Sequence, residues 1–248
     1  MLGRPAHGHP TGKPWRVWDL DAELRYKPVV ARCPPGTICE VGSGPQGIAL
    51  WTAEDVIGVD PGADDPHGQL VPLANFQRVE GDGANIPLAD RSVAATVAVD
   101  TFEHIPAPAR PAVIREMLRV TGDGGRVIIM GPVGPDAARA DHRVLERWRE
   151  HAPESSIVTW LTEHEQIGLP SIEELVTALL GTDRVKRVRV VGVYNLTLWW
   201  TTYRVLLGDF WKPRGERYLH HLMWAPFAFL ARRYRRGPFY RQLIVAEL

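Results

Sequence analysis

Three short stretches of this chain hold residues whose types and spacing could do chemistry. In residues 39–47, CEVGSGPQG, Gly42, Gly44 and Gly47 fit G-x-G-x-x-G, the spacing with which a strand-to-helix turn lays backbone N–H groups against a nucleotide. Asp60 closes the apolar run VIGVD and is placed to hold ribose hydroxyls. In DTFEHIP, residues 100–106, Asp100, Glu103 and His104 stand at i, i+3 and i+4. His104 is the candidate general base there, because an imidazole titrates near neutrality. The same three side chains could converge on a divalent ion, with His142 or His164 as a further ligand. A hydrogen-bonded cluster without metal is the reading adopted.

The glycines alone do not separate NAD from S-adenosylmethionine. Their surroundings do. Glu40 stands two residues before Gly42, where it would repel an anionic pyrophosphate but meet the cationic end of an amino-acid-bearing nucleotide. Asp82, in GDGANIPL, follows the third strand and can accept from an adenine amino group.

These groups need elements to position them. Strands are expected at 37–41, 56–60, 77–81, 93–99, 126–130, 185–193 and 239–247. Helices are expected around 20–31, from 48 to 54, over 108–120, 137–150 and 171–180. The run VAATVAV suits a strand buried on both faces. In 108–120, Val113, Ile114, Met117 and Leu118 repeat at helical spacing. Ser171 followed by Glu174 is a capping-box pattern. Gly122 to Gly125 read as a tight turn. Alternating strands and helices imply an α/β doubly wound sheet whose ligand sits beyond the carboxyl ends of the strands.

The chain has 248 residues, 29 basic and 29 acidic, so its balance of charge points to no nucleic-acid partner. Its two cysteines, Cys33 and Cys39, suit buried thiols better than a disulfide or a zinc finger. The first fifteen residues show no apolar signal region, and a cytoplasmic location is expected. Residues 1–14 are expected to be disordered, with one domain over 15–248.

The motifs together resemble a family. EVGSGPQG, VIGVDP, GDGANIPLADRSVAATVAVDTFEHIP and EMLRVTGDGGRVIIMGP are similar, in order, to the motifs of the class I S-adenosylmethionine-dependent methyltransferases of the small-molecule, ubiquinone- and menaquinone-biosynthesis-like type. The resemblance covers roughly residues 35–132. Val93-Ala94 replace the family's usual Phe-Asp. It implies a Rossmann-like fold, a seven-stranded mostly parallel sheet with flanking helices, and a helical insertion before the last strand. It implies S-adenosylmethionine as cofactor and a cofactor set of Glu40, Gly42, Ser43, Gly44, Gly47, Asp60, Pro61, Asp82, Gly83, Ala84 and Asp100. It implies methyl transfer to a small-molecule or lipid-linked acceptor, with oxygen as the expected site. Asp100, Glu103 and His104 also resemble the D/E-x-x-E-H ligands of metal-dependent relatives, which would make Mg²⁺ the ion. The alternatives are a cofactor-binding adaptor without turnover and an NAD-dependent oxidoreductase.

Residues 195–237 exceed what joins two strands and are expected to form a helical cap. Within them YLHHLMWAPFAFLA, residues 218–231, is too short to span a bilayer and is followed by RRYRR. Apolar, aromatic and arginine-rich together, 218–236 suits either a packed cap or a peripheral membrane contact.

Overall fold

Residues 17–62, 73–210, 229–230, 233–234 and 236–248 are described by the computed structural model. The expectations for 1–14, and for most of 218–236, lie outside these residues. Seven strands pair into one sheet in the order β3-β2-β1-β4-β5-β7-β6. They are β1 Ile38–Val41, β2 Val56–Asp60, β3 Phe76–Glu80, β4 Val93–Val99, β5 Thr121–Pro132, β6 Arg187–Asn195 and β7 Phe239–Glu247. β7 runs antiparallel to both β5 and β6, and the pairings from β3 to β5 are parallel. The strand order reverses its progression between β1 and β4, which run parallel, and this opens a crevice at their carboxyl ends.

Six α-helices flank the sheet among the described residues: α1 Val17–Val30, α2 Arg110–Val120, α3 Gly134–His151, α4 Ser156–Ile167, α5 Ile172–Leu180 and α6 Leu196–Phe210. β1 is buried at every position and β4 at all but one, as a two-faced apolar run requires. On one face Val113, Ile114, Met117, Leu175 and Leu179 pack against Cys39, Val41 and Ile129. Farther out, α3, α4 and α6 bury Trp148, Leu161 and Trp199 around Tyr240, and Trp199 stacks on Tyr240 at 3.7 Å between ring centroids. The expected capping box at α5 forms in full, with Ser171 accepting from the Glu174 amide and Glu174 from the Ser171 amide.

Three expectations change. The helix expected from Ile48 to Glu54 is only a 3-10 turn, Gly47–Leu50. The Asn75 amide donates to the carbonyls of Ala49, Thr52 and Glu54, which a longer helix would have spent on its own N–H groups. The turn expected at Gly122–Gly125 lies inside β5 as an irregularity. Thr121 pairs with Val93 and Arg126 with Ala95, so the intervening residues stand out of the ladder. Gly125 fits there because a Cβ would come within 2.5 Å of the Ala94 carbonyl. Finally, α4 was not expected from the sequence, and it carries side chains that the site uses. Of the expected cap, α6 is described, and residues 211–228 lie outside the described residues.

Candidate functional site

The glycine turn leaves β1 and is braced from both sides. Gly42 has φ +71°, and its N–H donates to the Val59 carbonyl at 2.8 Å. Gly44, at φ +53°, donates to Asp60 Oδ2 at 2.9 Å, and the space where its Cβ would stand is open. Asp60 Oδ1 accepts from the Gly62 amide at 3.0 Å. Asp60 therefore ties the turn to the end of β2 and keeps lone pairs at a partly exposed position. Ser43 is buried against Gly58, where a Cβ would come within 2.5 Å of its Oγ.

Glu40 sits under the turn and is fully buried. Its Oε2 accepts from the Ile48 amide at 2.7 Å. Gly47, at φ +46°, is needed because a Cβ there would come within 1.9 Å of that oxygen. The other oxygen, Oε1, is buried without a hydrogen-bond partner. Burial is the main reason that the Glu40 carboxyl is pushed up to about 8, although the Ile48 amide and Arg25 pull it down. An orphaned acceptor of this kind fits a cationic or donor group arriving from the ligand side.

A cleft of about 460 Å³ opens beyond the ends of β2 and β3, lined by Pro61, Glu80, Gly81 and Asp82. Asp82 accepts from the Ala84 amide through Oδ1 at 2.9 Å, so the Asx-turn role and the cleft-lining position coexist. Gly83 backs onto Val41, whose Cγ1 would be 2.8 Å from a Cβ. These residues meet where a nucleoside would lie in this fold.

At the end of β4, Asp100 has partners that its spacing did not announce. Asp100 does not present a free carboxylate. Arg241 from β7 grips it through Nε and Nη2, at 2.8–3.1 Å, and Arg25 from α1 adds a contact at 3.2 Å. Burial alone would raise the Asp100 carboxyl, but the two guanidinium charges outweigh it and hold it below the usual range. Asp100, itself at φ +48°, closes a clamp between the N-terminal helix and the last strand. The pattern at 100–104 does not act as one unit.

Glu103 and His104 instead join a different residue. The 3-10 turn Phe102–His104 is anchored by Arg110, which donates to the Phe102 and Ile105 carbonyls at 3.2 and 2.9 Å and pairs with Glu174 at 3.1 Å. This anchoring turns Glu103 and His104 toward α4. There Glu103, His104 and His164 each offer a ligand atom, all within 4.8 Å of one another. His142, the other histidine weighed, lies elsewhere, paired with Glu165 and Glu146 at the surface. His164 Nδ1 contacts Asp141 Oδ2 at 2.9 Å, and Asp141 Oδ1 accepts from the Tyr240 hydroxyl at 2.6 Å. His104 Nδ1 contacts Glu163 at 3.0 Å. Glu103 is buried, which pushes its carboxyl well up, and neighbouring Asp100 pushes it further. Sequence reading missed Arg25, Arg241, Asp141 and Glu163, because each acts through a partner distant in the chain.

Residues 39–129 match the family model described as a methyltransferase domain. Over those residues the chain is similar to that family. A protein of Mycobacterium bovis named as an uncharacterized methyltransferase is 33% identical over 128 residues, 48% of each chain. One of Mycobacteroides abscessus is 34% identical over 113 residues, covering 40% of this chain and 42% of the other. The chain spans about half the length of these curated relatives. Among solved structures, an S-adenosylmethionine-dependent methyltransferase of Thermotoga maritima superposes with a TM-score of 0.59 at 17% identity, over 93% of this chain and 90% of that one. Geranyl diphosphate C-methyltransferase of Streptomyces coelicolor gives 0.55 at 16%, over 92% and 77%. At these identities the superpositions establish the fold, which is that of class I methyltransferases. The matched residues hold the whole glycine turn, Asp60, Asp82, and the 3-10 turn with His104, whereas Asp141, His164 and Arg241 lie beyond them.

Proposed function

We propose that the protein transfers a methyl group from S-adenosylmethionine to a small-molecule acceptor at oxygen. The observation that carries this reading is the buried Glu40 with one unpartnered oxygen beneath a glycine turn that Asp60 braces. In it, Glu40, Gly42, Ser43, Gly44 and Gly47 hold the amino-acid part of the cofactor. Asp60 and Pro61 hold the ribose, and Asp82, Gly83 and Ala84 the base. Asp100 contributes indirectly, by fixing Arg25 and Arg241 at the edge of that site. The cofactor supplies a methyl group on a sulfonium, ready for in-line displacement. The protein has to align the acceptor and take up its proton. His104, with His164 beside it, stands at the carboxyl end of β4 where that proton would leave, and we assign it the general-base role.

The test is calorimetric titration with S-adenosylhomocysteine, with NADH in a parallel cell. Micromolar binding of S-adenosylhomocysteine alone is expected. Binding of NADH alone would overturn the assignment and favour a dehydrogenase.

The acceptor is further proposed to be lipid-linked, reached from a membrane surface. Phe229 and Leu230 are each 54% exposed, and the Arg233 guanidinium lies 4.5 Å from the Phe229 ring centroid. Aromatic and aliphatic groups beside arginine suit an anionic interface. No described helix is long and apolar enough to cross a membrane. Protein that fails to sediment with anionic vesicles would remove this part of the proposal.

A further inference from the structure

Arg78 stands on β3 opposite Gly58 of β2, and Asp60 follows Gly58 by two residues. This register and the period of two put the Arg78 and Asp60 side chains on one face of the sheet. Nη2 of Arg78 lies 3.8 Å from Asp60 Oδ1, an ion pair too long for a hydrogen bond. Nε and Nη1 are buried without a hydrogen-bond partner. The side chain is 18% exposed. A guanidinium drawn this far out of water, with no hydrogen bond among the described residues, is unfavourable for the fold. An apolar residue of similar length would be more stable at this position. Arg110 and Arg241, by contrast, are answered, the first by two carbonyls and Glu174 and the second by Asp100. Arg78 is placed for a group that the protein itself does not supply.

Its neighbours define that group. Asp60, as a carboxylate, only accepts. Its oxygens take the Gly44 and Gly62 amides and keep further lone pairs. Arg78 only donates. Side by side they offer both halves of what a hydroxyl uses, one acceptor for its proton and one donor for its oxygen. An anion fits less well, because Asp60 adjoins the guanidinium and Glu80 and Asp82 line the cleft beside it. A neutral vicinal diol matches, with its protons going to Asp60 and its oxygens accepting from Arg78. We infer that Arg78 is a second ribose-binding residue, which with Asp60 selects a nucleoside carrying both hydroxyls. This deepens the proposed methyl transfer and rests on it for the cofactor that brings the ribose. A deoxyribose leaves part of the pair unanswered and is rejected for that reason.

The experiment uses full-length protein and its Arg78→Met and Arg78→Lys variants. The probes are S-adenosylhomocysteine, its 2′-deoxy and 3′-deoxy analogues, and adenosine. Wild type should prefer S-adenosylhomocysteine to either deoxy analogue by about tenfold or more. Arg78→Met should weaken S-adenosylhomocysteine about 10–100-fold and shrink that preference severalfold. Arg78→Lys, which keeps a donor and the charge, should recover part of both. Circular dichroism on the same samples checks that each variant folds. Equal weakening of all three homocysteine ligands would make Arg78 a support for the strand end, and unchanged affinity would release it from the site. Either result overturns the inference and leaves the proposed function intact. Adenosine 2′-monophosphate that binds more tightly than adenosine, and loses this in Arg78→Met, would make Arg78 an anion site and overturn it too. Wild type that binds adenosine through Arg78 but not S-adenosylhomocysteine would sink the proposed function and leave the diol reading standing. Wild type that binds neither overturns both.

Discussion

The two ends of the crevice are built in opposite ways. The end proposed for the cofactor is local and made largely of backbone. Gly42, Gly44 and Gly47, with Glu40 below and Asp60 across, fall within 21 residues of chain, and their contacts run through backbone amides. The end proposed for the acceptor is assembled from distance. Its clamp joins Arg25, Asp100 and Arg241, with partners up to 141 positions apart in the chain, and its imidazole pair spans α4 and the turn after β4. A backbone cradle fixes its ligand by conformation, so few residue choices serve. A side-chain assembly tolerates many, and this is the end where a substrate would be chosen.

The largest expected effect breaks the acceptor end alone. Asp100→Ala leaves Arg241, whose side chain is 5% exposed, and Arg25 without the carboxylate that neutralises them. Removing one partner of a buried ion pair costs about 3–5 kcal/mol. Arg25 is partly exposed, so the loss should fall in the lower part of that range, read as a lowered urea midpoint. Wild-type stability would mean that water already serves these arginines and that the clamp does not join α1 to β7.

A smaller effect is expected at the other end. Asp60→Ala should weaken S-adenosylhomocysteine binding by about 1–3 kcal/mol, the cost of leaving ribose hydroxyls and the Gly44 amide unanswered. Stability should change less than affinity, since Asp60 is partly exposed. Unchanged affinity in folded protein would refute the ribose role. An equal loss of stability and affinity would make Asp60 a brace for the turn only.

What was legible in the sequence follows the same division. The sheet could be read because β4, VAATVAV, is a nearly continuous apolar run and β7 holds the apolar stretch LIVA, and their bounds, 93–99 and 239–247, match the structure. The capping box at Ser171 is a local pattern and formed. Helix α4 escaped because residues 156–167, SIVTWLTEHEQI, mix apolar and polar residues without a clean stripe. Its N-cap Ser155 and its termination at Gly168, with φ +81°, were the available signals. The 3-10 turn after Gly47 was misread because Asn75, 21–26 residues away, decides how far that helix can run. The arginine partners of Asp100 escaped because no spacing reveals that Arg241 will arrive beside it from the last strand. Contacts set by topology leave no periodic trace.

The finest discrimination comes from the Glu40 proton. In the free protein this carboxyl is raised to about 8, chiefly by burial, against about 4.5 in the unfolded chain. The folded state therefore holds the proton more tightly than the unfolded state. The stabilisation this gives is complete below about 4.5, declines as pH rises, and is gone above about 8. Binding reverses the preference. A cationic amino group against the orphaned oxygen favours the ionised carboxylate, so binding at pH 7 should release up to one proton. Affinity should rise at most tenfold per pH unit and level off above about 8. Calorimetry in buffers of different ionisation enthalpy measures the release directly. Glu40→Gln, which keeps the shape but cannot ionise, should abolish both the release and the pH slope. A wild type that binds S-adenosylhomocysteine with no proton exchanged would separate Glu40 from the ligand, leaving it only as the support that holds the Ile48 amide under the glycine turn.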